Sequence, residues 1–411
     1  MIQPRTDDRA SQDIQPPSIP LLFAMMIAGQ LGSTIYLPGL PAISEEMNTP
    51  ISSAQSLIAI YLGAFAVAQL IIGPLSDRYG RRPTVIGGLA LFAIASTMCA
   101  LAGDIVTLQI GRMVQATGAC ATLVVGRAMI RDTSQGIAAA QAMSWLAIAV
   151  GIGPAIAPFF GGFLVSWFGW QSTFIAIAVV VTVVLIWVIA SLKETLPIER
   201  RNPPRTSQLF ITYVRLLKNS RFLGYSMIVA FASGAMQAYL TSVPVVFIVI
   251  MDVPLELFGV YIMIMPSLYV VASYVSRQLT FYISVDKIIL LGITMSAAGG
   301  FAQFSLGLWG VTTVPPILVA FAISNIGTGL VLGMCYAQAL NTVPSAIAGQ
   351  ASALGGFLHM GWGAILSIAV AYMHHTSSLQ LGISQMTTTW LAAATGIFLV
   401  FFVKRSHQQA T

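Results

Sequence analysis

The chain has 411 residues, 57% hydrophobic and only 8% charged, against about 45–50% and about 25% in ordinary soluble domains. That composition excludes a soluble globular domain and places the chain in a bilayer. The net charge of +6 is distributed as a topology signal, so no nucleic-acid partner is read from it.

Residues 1–18 are polar and mixed in charge, with no cleavable signal evident, and the first apolar run is long enough to remain as a span. Apolar stretches long enough to cross a bilayer follow at 19–42, 52–74, 84–103, 106–129, 138–165, 171–192, 222–249, 257–278, 285–307, 314–340, 346–373 and 386–404. Twelve spans are therefore predicted, six on each side of a charged stretch at 193–221, where Pro203–Pro204 interrupt any helix that would cross. The organisation is a tail (1–18), a six-helix bundle (19–192), a linker (193–221), a second bundle (222–404) and a short tail (405–411).

Cationic residues collect on one side. Arg78, Arg81 and Arg82 follow span 2, Arg131 follows span 4, seven more run from Lys193 to Arg221, and Arg277 and Lys287 bracket the loop after span 8. The loops around Glu45, Asp104, Trp170, Asp252, Trp309 and His374 carry no Lys or Arg. By the positive-inside rule, the basic loops and both termini are cytoplasmic. Cys99, Cys120 and Cys335 lie far apart inside spans and read as packing residues, with neither disulfide nor metal site.

Several stretches break the apolar pattern. "GPLSDRYGRRP" packs Asp77, Arg78, Arg81 and Arg82 into eleven residues, with Gly73 and Gly80 permitting close approach or a turn. In "LQIGRMVQATGACAT", Arg112 sits about 9 Å inside span 4, where an arginine costs about 2.5–3.5 kcal/mol on insertion scales. Gln115 shares its face at i+3. Arg112 either faces a polar interior with Gln115 or snorkels to the headgroups. Span 5 carries "GIGPAIAPFFGG", with Gly153, Pro154, Pro158, Gly161 and Gly162, and close helix packing explains these residues as well as a transport role does. Polar and aromatic residues near span centres, namely Gln30, Thr34, Tyr36, Gln237, Tyr239, Tyr261 and Asn325, are either the wall of a binding cavity or interhelical hydrogen-bonding and packing residues. His359, mid-span, is either a proton switch or a neutral histidine bonded to a neighbouring helix.

"GPLSDRYGRRP" resembles the signature between helices 2 and 3 of the major facilitator superfamily. "YLPGLPAI", "GRAMIRD" and "AGQASALGGFLHMGWGAI" resemble the bicyclomycin and chloramphenicol resistance branch of its twelve-span drug:proton antiporters. The resemblance implies an all-α membrane protein of twelve transmembrane helices in two pseudo-symmetric six-helix bundles, with a site between the halves and access alternating by rocking. In that frame Asp77 is a latch for the first turn of span 11, expected to begin near Pro344. Arg78 and Arg81 pair with Asp132, unless all these charges are topogenic only. The resemblance links Arg112 to proton transfer, and Ala157-Pro158-x-x-Gly161-Gly162 is similar to the antiporter signature, with Ala in place of its first Gly.

One position departs from the branch: Thr34 stands where an aspartate commonly precedes Tyr-Leu-Pro. With no acid in the central part of any span and Arg112 expected in the cavity, neutral or anionic substrates are favoured over lipophilic cations. The expected function is proton-coupled antiport exporting small amphipathic compounds across a bacterial inner membrane, by a monomer without cofactor. An exporter dedicated to a carboxylated metabolite such as a siderophore is the alternative, with an uncoupled facilitator behind it. A membrane-bound enzyme or sensor has no paired carboxylates, nucleophile motif, nucleotide loop or soluble domain to support it.

Overall fold

The computed structural model describes residues 16–399 apart from 135, 202–205, 345–346 and 374–377. Helices account for nearly all of them, because a chain in lipid must satisfy every backbone N–H and C=O internally. The first half comprises α1 (Ile19–Thr34), α2 (Leu40–Glu46), α3 (Ile51–Tyr79), α4 (Arg81–Ala100), α5 (Ile105–Thr133), α6 (Gly136–Phe168) and α7 (Gln171–Ser191). A linker helix, α8 (Thr206–Lys218), leads to the second half: α9 (Ser220–Pro244), α10 (Leu255–Leu279), α11 (Val285–Leu308), α12 (Val314–Asn341), α13 (Ala348–Ala371) and α14 (Leu379–Phe398).

Eleven of these elements, with α1 and α2 taken as one, are long and apolar enough to cross a membrane. α14 is the twelfth long helix among the described residues. It is less apolar because its polar side chains turn inward: Gln385 Nε2 donates to the Ala235 carbonyl at 2.5 Å, and Thr388 and Thr389 are buried. The predicted span 386–404 is thus observed from Leu379, and its last residues lie outside those described.

Prolines and caps set the local breaks. Pro38 sits in the 3-10 turn Leu37–Gly39 and Pro41 in the first turn of α2, so the first span is two helices. Asp104 caps α5, accepting from the Thr107 hydroxyl at 2.6 Å and the Thr107 N–H at 2.9 Å, which together hold its carboxyl below the usual carboxylate range.

The charged stretch at residues 73–83 is not the loop the sequence suggests. α3 runs on through Tyr79 and α4 begins at Arg81, so the connection is Gly80 alone, at φ +103°. Only glycine holds that angle without strain. A second correction concerns Pro344: it lies outside the helix it was expected to start, because α13 begins at Ala348.

The halves meet along α3 with α13 and α6 with α10. We call the side carrying the α3–α4 and α5–α6 connections and α8 the linker face. Several inter-half contacts lie toward the opposite face: Gln55 Nε2 donates to the Thr241 carbonyl at 2.8 Å, and Ser166 Oγ to Glu256 Oε1 at 2.5 Å. Within the first half, Gly161 of α6 lies directly against the Ile35 carbonyl at the break in the first span. Gly161→Val is expected to lose most of the folded protein, because its side chain would push into backbone that cannot retreat. Overpacking of this kind costs about 1–3 kcal/mol even where neighbours are side chains. The monodisperse peak on size exclusion checks this; an unchanged peak and melting temperature would show that the contact is not tight.

Candidate functional site

At the linker face, Arg81 joins three helices. Its side chain is 7% exposed; Nη1 donates to Asp77 Oδ1 at 2.5 Å and Ser76 Oγ at 2.6 Å, and Nε donates to Asp132 Oδ2 at 2.7 Å. The expected Arg81–Asp132 pair therefore exists, and α3, α4 and α5 are tied through one guanidinium. Arg78 does not share it: it is exposed, with its guanidinium 5.4 Å from the Tyr79 ring. Asp77 makes its ion pair with Arg81 rather than with the start of α13. Gly73 is not needed for close packing, since a Cβ there would meet nothing nearer than Val124 at 3.9 Å.

The linker supplies a residue that sequence reasoning missed. Glu194 accepts from the backbone N–H groups of Arg81 at 2.9 Å and Arg82 at 3.3 Å, so a carboxylate closes the positive end of α4. Arg201 lies 3.7 Å from the same carboxylate. Arg82 turns the other way, donating to the Leu192 carbonyl at 2.8 Å and the Ile189 carbonyl at 3.0 Å, where α7 ends. The signal was the acid in "SLKETLP", but nothing in the sequence says which helix end it reaches.

Arg112 is fully buried, which rules out snorkelling, and it does not face the central cavity. Nη1 donates to the Gly32 carbonyl of α1 at 2.7 Å and to Gln115 Oε1, and Gln115 Nε2 donates to Ser96 Oγ of α4 at 2.8 Å. The guanidinium carbon stands 4.1 Å from the centre of the Tyr36 ring and 4.2 Å from that of Tyr61. Nε and Nη2 have no hydrogen-bond partner among the described residues, so the ring faces supply the compensation that a carboxylate would otherwise give. The expectation that Arg112 supplies the cavity's charge is thus corrected. Tyr61, which lines the cavity, stands between the two.

A cavity of about 220 Å³ lies between the halves. Gln30, Thr34, Gln237, Asn325, His359 and Pro154 line it, among apolar walls that include Ile58, Leu62, Phe65 and Met360. Tyr36, Tyr239 and Tyr261 do not. Tyr36 is taken up by Arg112, Tyr239 is fully buried and stacked on Phe321 at 3.7 Å, and Tyr261 packs against Phe247. Asn325 Nδ2 donates to the Met265 carbonyl at 2.5 Å, while the Thr34 hydroxyl has no hydrogen-bond partner among the described residues. Of the span-5 residues, Gly153 abuts Gln30, Pro158 lies beside Gly259, and Gly162 meets the Leu255 backbone of α10, all contacts between helices. His359 Nδ1 is hydrogen-bonded to the Tyr336 hydroxyl at 3.0 Å.

Arg127 of α5 is the second residue missed. It is exposed although its neighbours Gly126 and Ala128 are buried. It stands in "GRAMIRD", two residues from the end of the predicted fourth span, where nothing in the sequence says which way it points.

The sequence model of the Major Facilitator Superfamily matches residues 22–368. The chain belongs to that superfamily. It is similar to the multidrug resistance protein MdtL of Escherichia coli O9:H4, at 30% identity over 71% of this chain and 75% of the relative. It is also similar to the bicyclomycin resistance protein homolog of Haemophilus influenzae, at 25% identity over 83% and 85%. Among solved structures, the xylose transporter XylE from E. coli in a partially occluded inward-open conformation aligns with a TM-score of 0.71 at 14% identity, covering 94% of this chain and 97% of that one. That likeness shows the fold alone. The chain is a multi-pass membrane transporter of small molecules, not an enzyme.

Proposed function

We propose that this transporter is a proton-coupled antiporter that exports small amphipathic compounds across a bacterial inner membrane by alternating access. The observation that carries the reading is the cavity at the meeting of the halves: apolar walls with a few separated polar groups suit loosely held, medium-sized amphipaths. The resistance names of the relatives point the same way. The Lys and Arg bias makes the linker face and both termini cytoplasmic. The Arg81 cluster, with Asp77 and Asp132, then serves as the cytoplasmic gate, holding α3, α4 and α5 as one unit while the halves rock. The protein works as a monomer. A second reading, an exporter dedicated to one carboxylated metabolite, is favoured by a specific observation: no Asp or Glu is among the cavity-lining residues.

Inside-out vesicles holding a proton gradient, with a pH-sensitive dye, test the proposal. Neutral, cationic and carboxylated compounds added in turn are expected to trigger proton release from wild type in at least one charge class. His359→Ala is expected to weaken that release several-fold while substrate uptake continues, because His359 is the one titratable side chain among the cavity-lining residues other than the tyrosines Tyr61 and Tyr269. Uptake of a compound with no proton movement in wild type would make the protein a facilitator.

A further inference from the structure

We infer that Gln30 and Gln237 are the groups with which the cavity reads its substrate, and that the class it takes is uncharged amphipaths carrying an amide-type N–H beside a C=O. The inference rests on the transporter reading only in treating this cavity as the substrate path.

Most polar side chains in the cavity wall are already engaged by the protein. Asn325 donates to the Met265 carbonyl at 2.5 Å, Ser233 to the Val229 carbonyl at 2.6 Å, Thr328 to the Ser324 carbonyl at 3.1 Å and Ser33 to the Gln30 carbonyl at 2.7 Å. The His359 ring is bonded to the Tyr336 hydroxyl. The side-chain amides of Gln30 and Gln237 differ: both residues line the cavity, and neither amide has a hydrogen-bond partner among the described residues. Ser33 and Thr241 bond only to their backbone carbonyls, at 2.7 and 2.8 Å. An amide facing an apolar-walled chamber is satisfied by what enters it, water or substrate.

The two halves build this feature in the same way. Gln30 stands on α1 ahead of Pro38, at the break in the first span, and Gln237 stands on α9 ahead of Pro244, which ends that helix. A Cβ at Gly153 of α6 would lie 2.5 Å from Gln30 Cβ, and one at Gly363 of α13 would lie 3.0 Å from Gln237 Cγ. α1 and α6 hold the places in the first half that α9 and α13 hold in the second. Each glutamine stem is thus seated on a glycine of the corresponding helix, and its amide end is left open. A glutamine serving to join helices would have that end bonded across the interface.

Each open carboxamide offers two N–H donors and an accepting oxygen. Its complement is another amide with N–H and C=O side by side, which exchanges two hydrogen bonds with it in one plane, as glutamine does with adenine. Thr34, four residues on from Gln30 and so on the same helix face, adds a hydroxyl with no hydrogen-bond partner among the described residues. No Asp, Glu, Lys or Arg is among the cavity-lining residues, so a cation or a carboxylate would leave water without a fixed counter-charge. Leu62 and Phe65 receive the apolar body.

Equilibrium dialysis of the purified full-length protein in detergent, with 4-methyl-2-quinolone, its isomer 1-methyl-2-quinolone and 2-naphthoate as probes, tests this. The two quinolones share size and carbonyl, and only the first keeps the N–H; the naphthoate has a similar apolar body and a negative charge. Wild type is expected to bind 4-methyl-2-quinolone about tenfold more tightly than either of the others. Gln30→Leu and Gln237→Leu are each expected to lower that preference by about half or more, and the double variant to abolish it. The melting temperatures should stay at the wild-type value, because no hydrogen bond within the protein is lost. A glutamine that only joined helices would do the opposite, lowering the melting temperature and leaving the preference intact. Gln30→Met and Gln237→Met, which keep an unbranched stem, carry the test if the leucine variants do not fold. Equal binding of the two quinolones by wild type, tighter binding of the naphthoate, or an undiminished preference in the double variant overturns the inference. Binding is read without transport, so the two readings fail separately. Proton release in vesicles without quinolone preference would leave the antiporter standing and remove the amide site. Quinolone preference without proton release would do the reverse.

Discussion

Arg112→Ala is expected to reduce transport of any substrate at least tenfold, and to lower the melting temperature by less than the lost contacts alone would. The stability terms oppose one another. Truncation removes hydrogen bonds to the Gly32 carbonyl and Gln115, leaving buried acceptors worth about 1–3 kcal/mol each without a donor. It also removes two ring contacts, worth up to about 2 kcal/mol each when desolvated. Against this, it relieves a fully buried charge that has no carboxylate beside it, a cost of about 2.5–3.5 kcal/mol on insertion scales. Function has no such offset. Gly32 lies just before the break in the first span and next to the cavity residues Gln30 and Thr34, and Tyr61 is itself cavity wall. Without the guanidinium, both walls lose the group that fixes them to α5. Vesicle transport and thermal unfolding of the same variant check the prediction; near-normal transport would remove Arg112 from the mechanism.

The second large effect is expected from Arg81→Ala, and here stability itself should fall. The guanidinium is 7% exposed, and its loss leaves Asp77 and Asp132 without the cation they share. Breaking a fully buried pair costs about 3–5 kcal/mol. These acids keep 39% and 20% of their surface in contact with solvent, so screening reduces the expected cost to about 1–3 kcal/mol. The sharper expectation is suppression: adding Asp132→Asn to Arg81→Ala should recover part of the lost melting temperature, because it removes one of the uncompensated charges. Failure of the second substitution to help, with the first clearly destabilising, would place the cost in lost packing instead.

Much of this was legible from residue order. Hydrophobic run length is a local property, and it marked nearly every long helix, because a helix in lipid is chosen by the composition of about twenty consecutive residues. Charge asymmetry and the ordered knot at Asp77–Arg82 were equally local, and the Arg81–Asp132 pair followed from them. Polar residues near span centres picked out Gln30, Thr34, Gln237 and Asn325, which line the cavity, as does His359, singled out for its titratable ring.

The direction in which a side chain points around its helix was not legible, because it depends on which neighbour comes against it. Tyr36 and Tyr239 met the same criterion as Gln30 and Gln237, yet one is covered by Arg112 and the other by Phe321. Arg112 had the polar stripe expected of a cavity residue, but the carbonyl of Gly32 and two aromatic faces were closer than any water-filled space. Glu194 reaches the start of α4 across a separation of more than one hundred residues. The sequence by itself determined that this chain spans a membrane in two six-helix halves of the major facilitator kind. Only the tertiary structure decided which charges meet, because packing brings together groups that chain order holds far apart.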